Sequence, residues 1–302
     1  MSVATQTARE TVVSQLTRRR SRDQNPASIV FLCALWFSLF FGVVVLVALI
    51  VDTAITGAPR LDLNLFTQYE SVIRRDETGF KAGILGSIWL MAITALMAIP
   101  LGIAAAVYLE EFANPKTWYN RLVEINLQNL AAVPSVIYGM LAVAIMGLLG
   151  YTFKGIVLGG AFALALLILP VVIITTREAV RAVPTEIRDG SLALGATVWQ
   201  TTWRNTLPSA VPGIATGTIL GLSRAIGEAA PLVILGLATV RFVPTGVESK
   251  VTALPIQIFN LSSQPQEEYQ VAASAAIIVL LVMILGMNAL AIFIRNKFQR
   301  TW

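Results

Sequence analysis

The sequence contains no histidine and a single cysteine, Cys33, and only 13% of its 302 residues are charged. Without histidine the chain lacks the usual general base of enzymes and the commonest metal ligand. One cysteine permits neither an internal disulfide nor a cysteine-cluster metal site. These absences argue against an enzyme and predict neither a metal nor a cofactor.

The scarcity of charge points to a membrane protein. A soluble domain normally carries about 25% charged residues, whereas this chain is 56% hydrophobic and has a mean hydropathy of +0.74. Its apolar runs are much longer than a strand of a membrane barrel. The composition therefore predicts an all-α polytopic membrane protein.

Six apolar stretches are long enough to cross a bilayer, which takes about 20 residues as a helix. They lie at residues 28–51, within 82–109, within 122–150, and at about 155–176, 210–238 and 271–294. Prolines inside four of them are tolerable because neighbouring helices can satisfy the freed carbonyls. We therefore predict six transmembrane helices.

The distribution of basic residues predicts the orientation of these helices. Six spans place both termini on one side, and fourteen of the 22 basic residues then fall on that side against seven on the other. Basic residues are in excess on the cytoplasmic side of membrane proteins, so we predict cytoplasmic termini. The net charge of +5 is interpreted in the same way, and we predict no nucleic-acid partner.

This topology divides the chain into tails, loops and a core. The predicted segments are a cytoplasmic tail (1–27), the first transmembrane helix (28–51), an outer loop (52–81), a five-helix core (82–294) and a cytoplasmic tail (295–302). The core contains a cytoplasmic loop at 177–209 and an outer loop at 239–270. Loops of this length usually have a function.

From Pro184 the cytoplasmic loop reads PTEIRDGSLALGATVWQTTWRNTLPSAVPG. The pattern predicts two short helices, 186–194 and 197–206, broken at Gly195, with the second ended by Pro208. Trp199 and Trp203 are four residues apart and share one face of the second helix. They fit either an aromatic belt at the membrane surface or an anchor in a groove of a partner protein.

The fifth span contains two charges in the stretch GLSRAIGEAAPLVILG. Arg224 and Glu228 are four residues apart, which on a helix places them on one face, one turn apart. A charge at the centre of a membrane helix costs about 2.5–3.5 kcal/mol, so we predict that both face protein or a wet path. They fit either a salt bridge that only joins helices or a site where the guanidinium binds an oxyanion. Glu124, at the end of the third span, is predicted to reach water.

The order of residues in the cytoplasmic loop carries a resemblance. Asp189, Gly190 and Ser191 are followed by Gly195 and then by Asn205-Thr206-Leu207-Pro208. This spacing resembles the cytoplasmic motif of binding-protein-dependent ABC importer permeases, Glu-Ala-Ala followed by Gly and then Ile-x-Leu-Pro. Gly195, Leu207 and Pro208 match the motif, and Asp189, Gly190, Ser191 and Asn205 depart from it.

Four further strings resemble the permeases of phosphate importers. They are AIPLGIAAAVYLEEF (98–112), AAVPSVIYGM (131–140), SRAIGEAAPL (223–232) and LPIQIFNLSSQPQEEY (254–269). The last two are similar to the subunit of the permease heterodimer that is labelled A. The resemblance covers about residues 82–294.

The resemblance implies a fold, partners and site residues. It implies the type I ABC importer permease fold, a bacterial inner membrane location, a second homologous permease subunit, two ATP-binding subunits and a periplasmic phosphate-binding protein. The implied substrate path contains Arg224 and Glu228, and the implied contact with the ATPase contains Asp189, Gly190, Ser191, Gly195, Trp199, Trp203, Leu207 and Pro208. The sequence has no G-x-x-x-x-G-K-[ST] motif, so ATP hydrolysis is expected on another chain.

Other functions are weighed against the phosphate importer. Importers of sulfate or molybdate share the spacing of the loop motif, and one buried arginine does not select among oxyanions. A secondary transporter could use Arg224 and Glu228 as a proton-coupled site, but the loop motif argues against it. An intramembrane enzyme would need histidine or a Ser/Lys or di-Asp arrangement, which the sequence does not offer.

Overall fold

The computed structural model describes residues 26–71, 78–114 and 116–298, and its named elements in these ranges are all helices. In chain order they are α1 (Pro26–Gly57), α2 (Leu63–Thr67), α3 (Lys81–Val107), α4 (Trp118–Ala131), α5 (Ser135–Leu148), α6 (Val157–Arg181), α7 (Thr185–Ala193), α8 (Val198–Thr201), α9 (Leu207–Ile226), α10 (Ala230–Ile234), α11 (Leu254–Ser262) and α12 (Glu267–Phe298). A 3₁₀ turn, Ala58–Arg60, follows α1. The prediction of an all-α fold is confirmed.

Two π-helical turns extend the regular helices. Tyr108–Phe112 continues α3, and Thr202–Thr206 joins α8 to α9 without a break. The prediction that Pro208 ends the second loop helix is therefore wrong. Pro208 lies in the first turn of α9, directly after the π-helical turn, so this proline is accommodated inside a continuous helix whose winding is irregular there.

The described chain falls into two compact units, one ending at Asp52 and one beginning at Thr53. The first unit is the greater part of α1, whose large apolar side chains from Ile29 to Val51 are exposed around the helix. A helix that is apolar on all sides suits a lipid or apolar protein environment. The predicted first span, 28–51, is thus part of a longer apolar helix.

The second unit is built around α6. Buried side chains occur on every side of this helix, which packs against α3, α5, α9 and α10. Glycines let α3 and α9 approach α6 closely. A Cβ at Gly102 of α3 would lie 2.6 Å from Val172, and one at Gly217 of α9 would lie 2.1 Å from the Thr175 hydroxyl. Small residues serve the same purpose at helix contacts in membranes.

An extended segment covers the beginning of α6. The amide of Val157 donates to the Ser249 carbonyl at 3.0 Å, and the amide of Leu158 donates to the Val247 carbonyl at 2.8 Å. Ile156 and Lys250 form an antiparallel bridge in the same place. These bonds satisfy amides that the first turn of a helix leaves without partners. The predicted loop 239–270 thus contains structured backbone, and it also contains the buried helix α11.

The predicted third and fifth spans are each interrupted. In the third, α4 and α5 meet at an angle of 112°, with Pro134 at the junction. In the fifth, α9 ends at Ile226 and α10 starts at Ala230, because Pro231 has no amide hydrogen and would clash with the carbonyl four residues before it. Neither predicted span is thus a single straight helix, and their crossing of the membrane stays a prediction.

Fewer helices than the predicted six are long and apolar enough to cross a membrane. Among the described residues four helices are long and apolar enough, or five if the bent pair of α4 and α5 is one span. The four contain the predicted first, second, fourth and sixth spans. The count of six, and the assignment of tails and loops to the two sides of a membrane, stay predictions.

Glu70 is a half-buried carboxylate next to α11. The Gln257 amide donates to its Oε2 atom at 3.0 Å. Burial raises the pKa of Glu70 above its ordinary value of 4.5, although hydrogen bonds from Gln257 and Thr239 and the charge of Arg241 act in the opposite direction. A carboxyl whose pKa is raised by folding binds its proton more tightly in the folded state. The free energy of unfolding should therefore fall as pH rises from about 4.5 through the folded-state pKa.

Glu70→Gln is expected to remove this pH dependence and to raise the melting temperature at pH 7.5 by about 2–4 °C. The reason is that the amide keeps an oxygen for Gln257 but cannot ionise. Melting curves of the purified protein between pH 4.5 and 8 measure the effect, with Glu248→Gln, at an exposed position, as the control. An unchanged slope in Glu70→Gln would contradict the assignment.

Candidate functional site

The segment between α6 and α9 carries most of the predicted site residues. Asp189 and Gly190 are exposed on α7. The Ser191 hydroxyl accepts hydrogen bonds from Thr201 at 3.0 Å and from the Asn205 amide at 2.9 Å. Ser191 therefore fastens α7 to α8 and to the π-helical turn, while its two neighbours remain accessible.

Gly195 forms the bend between the two loop helices. Its φ is +86°, a backbone conformation that glycine adopts without a Cβ penalty. Its amide donates to the Leu192 carbonyl at 2.9 Å, and the amide of Ala196 donates to the Ser191 carbonyl at 3.2 Å. This pair of bonds is a Schellman motif, which satisfies the last carbonyls of α7. The predicted break at Gly195 is confirmed.

The two tryptophans lie together on the outer side of the segment. The ring centroids of Trp199 and Trp203 are 5.4 Å apart, and Trp199 is 5.9 Å from the ring of Phe112. Both indoles remain more than half exposed, at 60% and 54%. Together with residues of 100–112 they line an apolar groove of about 610 Å³. The contact between the two rings confirms the shared face predicted for them.

Leu207 and Pro208 begin α9. Leu207 packs on a small buried cluster that includes Val107, Val180 and Val183, whereas Pro208 is exposed. Leu207 therefore joins the start of α9 to the ends of α3 and α6.

Arg224 and Glu228 do not form the predicted arrangement. Arg224 is exposed in the last turn of α9, and Glu228 lies half-buried beyond the helix end at Ile226. Within the described residues no ion pair joins them. The prediction of one helical face is wrong because the helix stops between them, ahead of Pro231.

Arg224 instead continues an exposed stripe along α9. Thr216 and Leu220 precede it at intervals of four residues and are exposed as well, so the three share one side of the helix. Near the middle of α9, Thr216 accepts a hydrogen bond from the Arg295 guanidinium at 3.0 Å. A stripe with two arginines next to it is unsuited to acyl chains.

A cluster of six charged side chains lies where α3, α4, α6 and α7 meet. Its members are Glu110, Glu111, Glu124, Arg177, Arg181 and Arg188, and we refer to it as the carboxylate–arginine clamp. Of its members only Glu124 was predicted from the sequence, at a position that reaches water. The sequence did contain a signal for such a cluster. Two adjacent glutamates end one apolar run, and two arginines four residues apart end another.

The described residues show no group of three or more metal-ligating side chains placed to hold an ion. The arrangement is instead that of helices with charges at their ends and one exposed arginine on an apolar core. Such an arrangement can bind an anion and transmit motion between helices.

The family is decided by comparison with known proteins. Residues 98–300 match the family model described as "Binding-protein-dependent transport system inner membrane component". The chain belongs to this family. This chain is 31% identical to the phosphate transport system permease protein PstA of Yersinia pestis, with 91% of this chain and 92% of that protein covered. It is 30% identical to the protein of the same name from Xylella fastidiosa, with 95% and 99% covered.

Similarity to solved structures shows the fold of this chain. A chain of a bacterial alginate ABC transporter in complex with an alginate-bound periplasmic protein aligns with a TM-score of 0.66 at 18% identity, over 91% of this chain and 97% of that chain. A second structure of a bacterial ABC transporter that imports alginate gives 0.62 at 20% identity, over 95% and 100%. The type I ABC importer permease fold predicted from the sequence is confirmed.

Proposed function

We propose that the protein is the permease subunit of an ATP-driven importer that carries inorganic phosphate into the cytoplasm by alternating access. The observation that carries this proposal is the similarity to phosphate permeases over nearly the whole length of both chains. The exposed guanidinium of Arg224 supports it, because guanidinium groups bind phosphate oxygens in a bidentate way.

The path lies along the exposed stripe of α9 and is completed by a second, homologous permease subunit. An arginine facing lipid costs about 2.5–3.5 kcal/mol, so the stripe faces the other subunit or water. Phosphate passes Arg224, whose charge attracts it. Glu228 lies on the same path and keeps the anion from binding too tightly.

Two ATP-binding subunits contact the segment that holds α7 and α8. Asp189, Gly190, Trp199 and Trp203 are exposed there, and Ser191, Gly195, Leu207 and Pro208 fix its shape. ATP hydrolysis takes place on those subunits and not on this chain. Nucleotide-driven closure of the ATPases moves the segment, and with it α9.

The protein is placed in a bacterial inner membrane with both termini in the cytoplasm. A periplasmic phosphate-binding protein delivers its ligand at the segments 52–81 and 239–270. No nucleic acid and no cofactor takes part.

The substrate is tested in vesicles that contain the whole complex, with binding protein and ATP supplied. Uptake of labelled phosphate should require ATP and should resist a hundredfold excess of sulfate or molybdate. Competition by either anion would indicate an importer of another oxyanion. Uptake driven by an ion gradient without ATP would indicate a secondary transporter.

Gly195→Ala tests the role of the bend between α7 and α8. A Cβ at a φ of +86° costs about 1–2 kcal/mol, so the Schellman motif is strained and the segment loses its fixed shape. The variant should hydrolyse ATP at the normal rate but import several-fold less phosphate per ATP. Gly42→Ala is the control, because a Cβ at Gly42 meets no atom within 4 Å and α1 takes no part in the contact. Equal coupling in both variants would refute the role of the bend.

A further inference from the structure

We propose that the carboxylate–arginine clamp is the device that makes α7 move together with α3 and α6, so that Glu111 and Arg188 are positioning residues of transport. The inference rests on the proposed function, in which the ATPases act on the segment containing α7. It adds a second connection between that segment and the membrane helices, beside the continuous helix from α8 into α9.

Hydrophobic packing does not hold α7 in place. None of its nine residues is buried, whereas α6, directly before it, is buried along most of its length. A short helix without a buried face takes its position from polar contacts. Besides the Ser191 bonds to the far side of the segment, these contacts come from Arg188.

Arg188 joins three elements through one guanidinium. Its Nε and Nη2 atoms donate to Oε1 of Glu111 at 3.1 and 2.9 Å. Its Nη1 and Nη2 atoms donate to the carbonyls of Val183 at 3.0 Å and of Val180 at 2.7 Å. Val180 lies in the last turn of α6 and Val183 just beyond its end, where backbone carbonyls can accept bonds from outside the helix. The planar fork of arginine suits such a set of acceptors, and lysine does not supply it.

Glu110 extends the same connection to the neighbouring helices. Its two oxygens accept from Arg181 at 2.9 and 3.1 Å, and Oε2 also accepts from Arg177 at 3.2 Å. Arg177 in turn donates to Glu124 of α4 at 3.1 Å. The adjacent carboxylates Glu110 and Glu111 bind different arginines, two on α6 and one on α7, so the end of α3 is joined to both helices.

Four of the six side chains of the clamp are largely buried. The side chains of Glu111 and Arg188 are 9% and 20% exposed, and those of Glu110 and Arg177 are 15% and 14% exposed. A charge in such surroundings is strongly destabilising once its partner is removed. The pairs therefore stay closed while the segment moves, and displacement of α7 draws the end of α3 with it.

Phosphate uptake and ATP hydrolysis in vesicles carrying the complete importer test the proposal. Glu111→Ala should lower the phosphate imported per ATP about tenfold, because Arg188 loses its charged partner. Glu111→Gln should lose only about two- to threefold, since its Oε1 can still accept both bonds. Glu178→Ala is the matched control: Glu178 pairs with Arg181 at 3.6 Å with both side chains more than half exposed, so the ratio should not change.

A distance measurement tests positioning without transport. Spin labels on Glu186→Cys in α7 and Leu101→Cys in α3, in a Cys33→Ser background, report the separation of the two helices; both labelled positions are exposed. The distance distribution should be narrow with and without ATP and should broaden in Glu111→Ala. Unbroadened distances together with normal coupling in Glu111→Ala would overturn the proposal.

Two outcomes have separate meanings. If Glu111→Ala does not assemble, Glu111→Gln decides, and coupling equal to that of Glu178→Ala would then overturn the proposal. If vesicles with the unaltered chain do not import phosphate, the proposed substrate fails, while the label distances still test the clamp.

Discussion

Arg224→Gln is expected to reduce ATP-driven phosphate uptake about 100-fold, while the importer still assembles. A hydrogen bond to a charged group contributes about 1.5–3 kcal/mol, and 1.4 kcal/mol corresponds to a factor of ten. The side chain is exposed and has no ion-pair partner within the described residues, so its loss leaves no buried charge behind. Initial rates of labelled phosphate uptake measure the effect.

A second variant at this position separates charge from geometry, and a variant of another arginine is the control. Arg224→Lys keeps the positive charge but loses the bidentate fork, and uptake should fall about tenfold. Arg121→Gln removes an exposed arginine from α4 and should leave uptake unchanged. If Arg224→Gln transports as well as Arg121→Gln, Arg224 does not lie on the path.

Gly86→Ala is expected to destabilise the protein strongly. A Cβ at this position of α3 would lie 2.0 Å from the Thr252 carbonyl oxygen and 2.9 Å from the Val251 side chain. The opposing backbone cannot easily withdraw, because the amide of Leu254 donates to the Ser87 hydroxyl at 2.9 Å and the amide of Val251 donates to the Gly155 carbonyl. Such overpacking costs about 3 kcal/mol.

The expected result is a melting temperature lower by about 6–12 °C for the purified protein. Gly286→Ala in α12 is the matched control, since a Cβ there meets nothing within 4 Å. Equal melting temperatures for the two variants would show that the segment 251–254 yields more readily than its hydrogen bonds indicate.

The long apolar helices were predictable from the sequence, and their interruptions were not. Four helices, α1, α3, α6 and α12, coincide with uninterrupted apolar runs, because an apolar run of about 20 residues indicates a helix long enough to cross a bilayer. Such a run does not show whether the helix bends, so the angle of 112° between α4 and α5 was not predicted. Pro134 and Pro231 stood at the breaks, but prolines also occur within intact membrane helices, as Pro100 and Pro170 do here.

Charged residues were predictable by type and not by partner. The spacing of Arg224 and Glu228 suggested a pair, but spacing of four residues implies contact only where the helix is continuous. Arg188 and Glu111 are 77 residues apart in sequence, and their contact depends on how α3 and α7 are packed. Gly195 was predicted correctly because the need for a left-handed conformation at the end of α7 is local.

The π-helical turn at Thr202–Thr206 fixes the angle, around the helix axis, between the side that carries the two tryptophans and the side that ends at Arg224. An α-helix turns by about 100° per residue, so the loss of one residue from this turn would rotate one half of the helix against the other by about that angle. With the indoles held against their groove, the guanidinium would then point toward α6 or α12. The direction in which Arg224 faces is thus specified some twenty residues earlier, by a single extra residue in the winding of the chain.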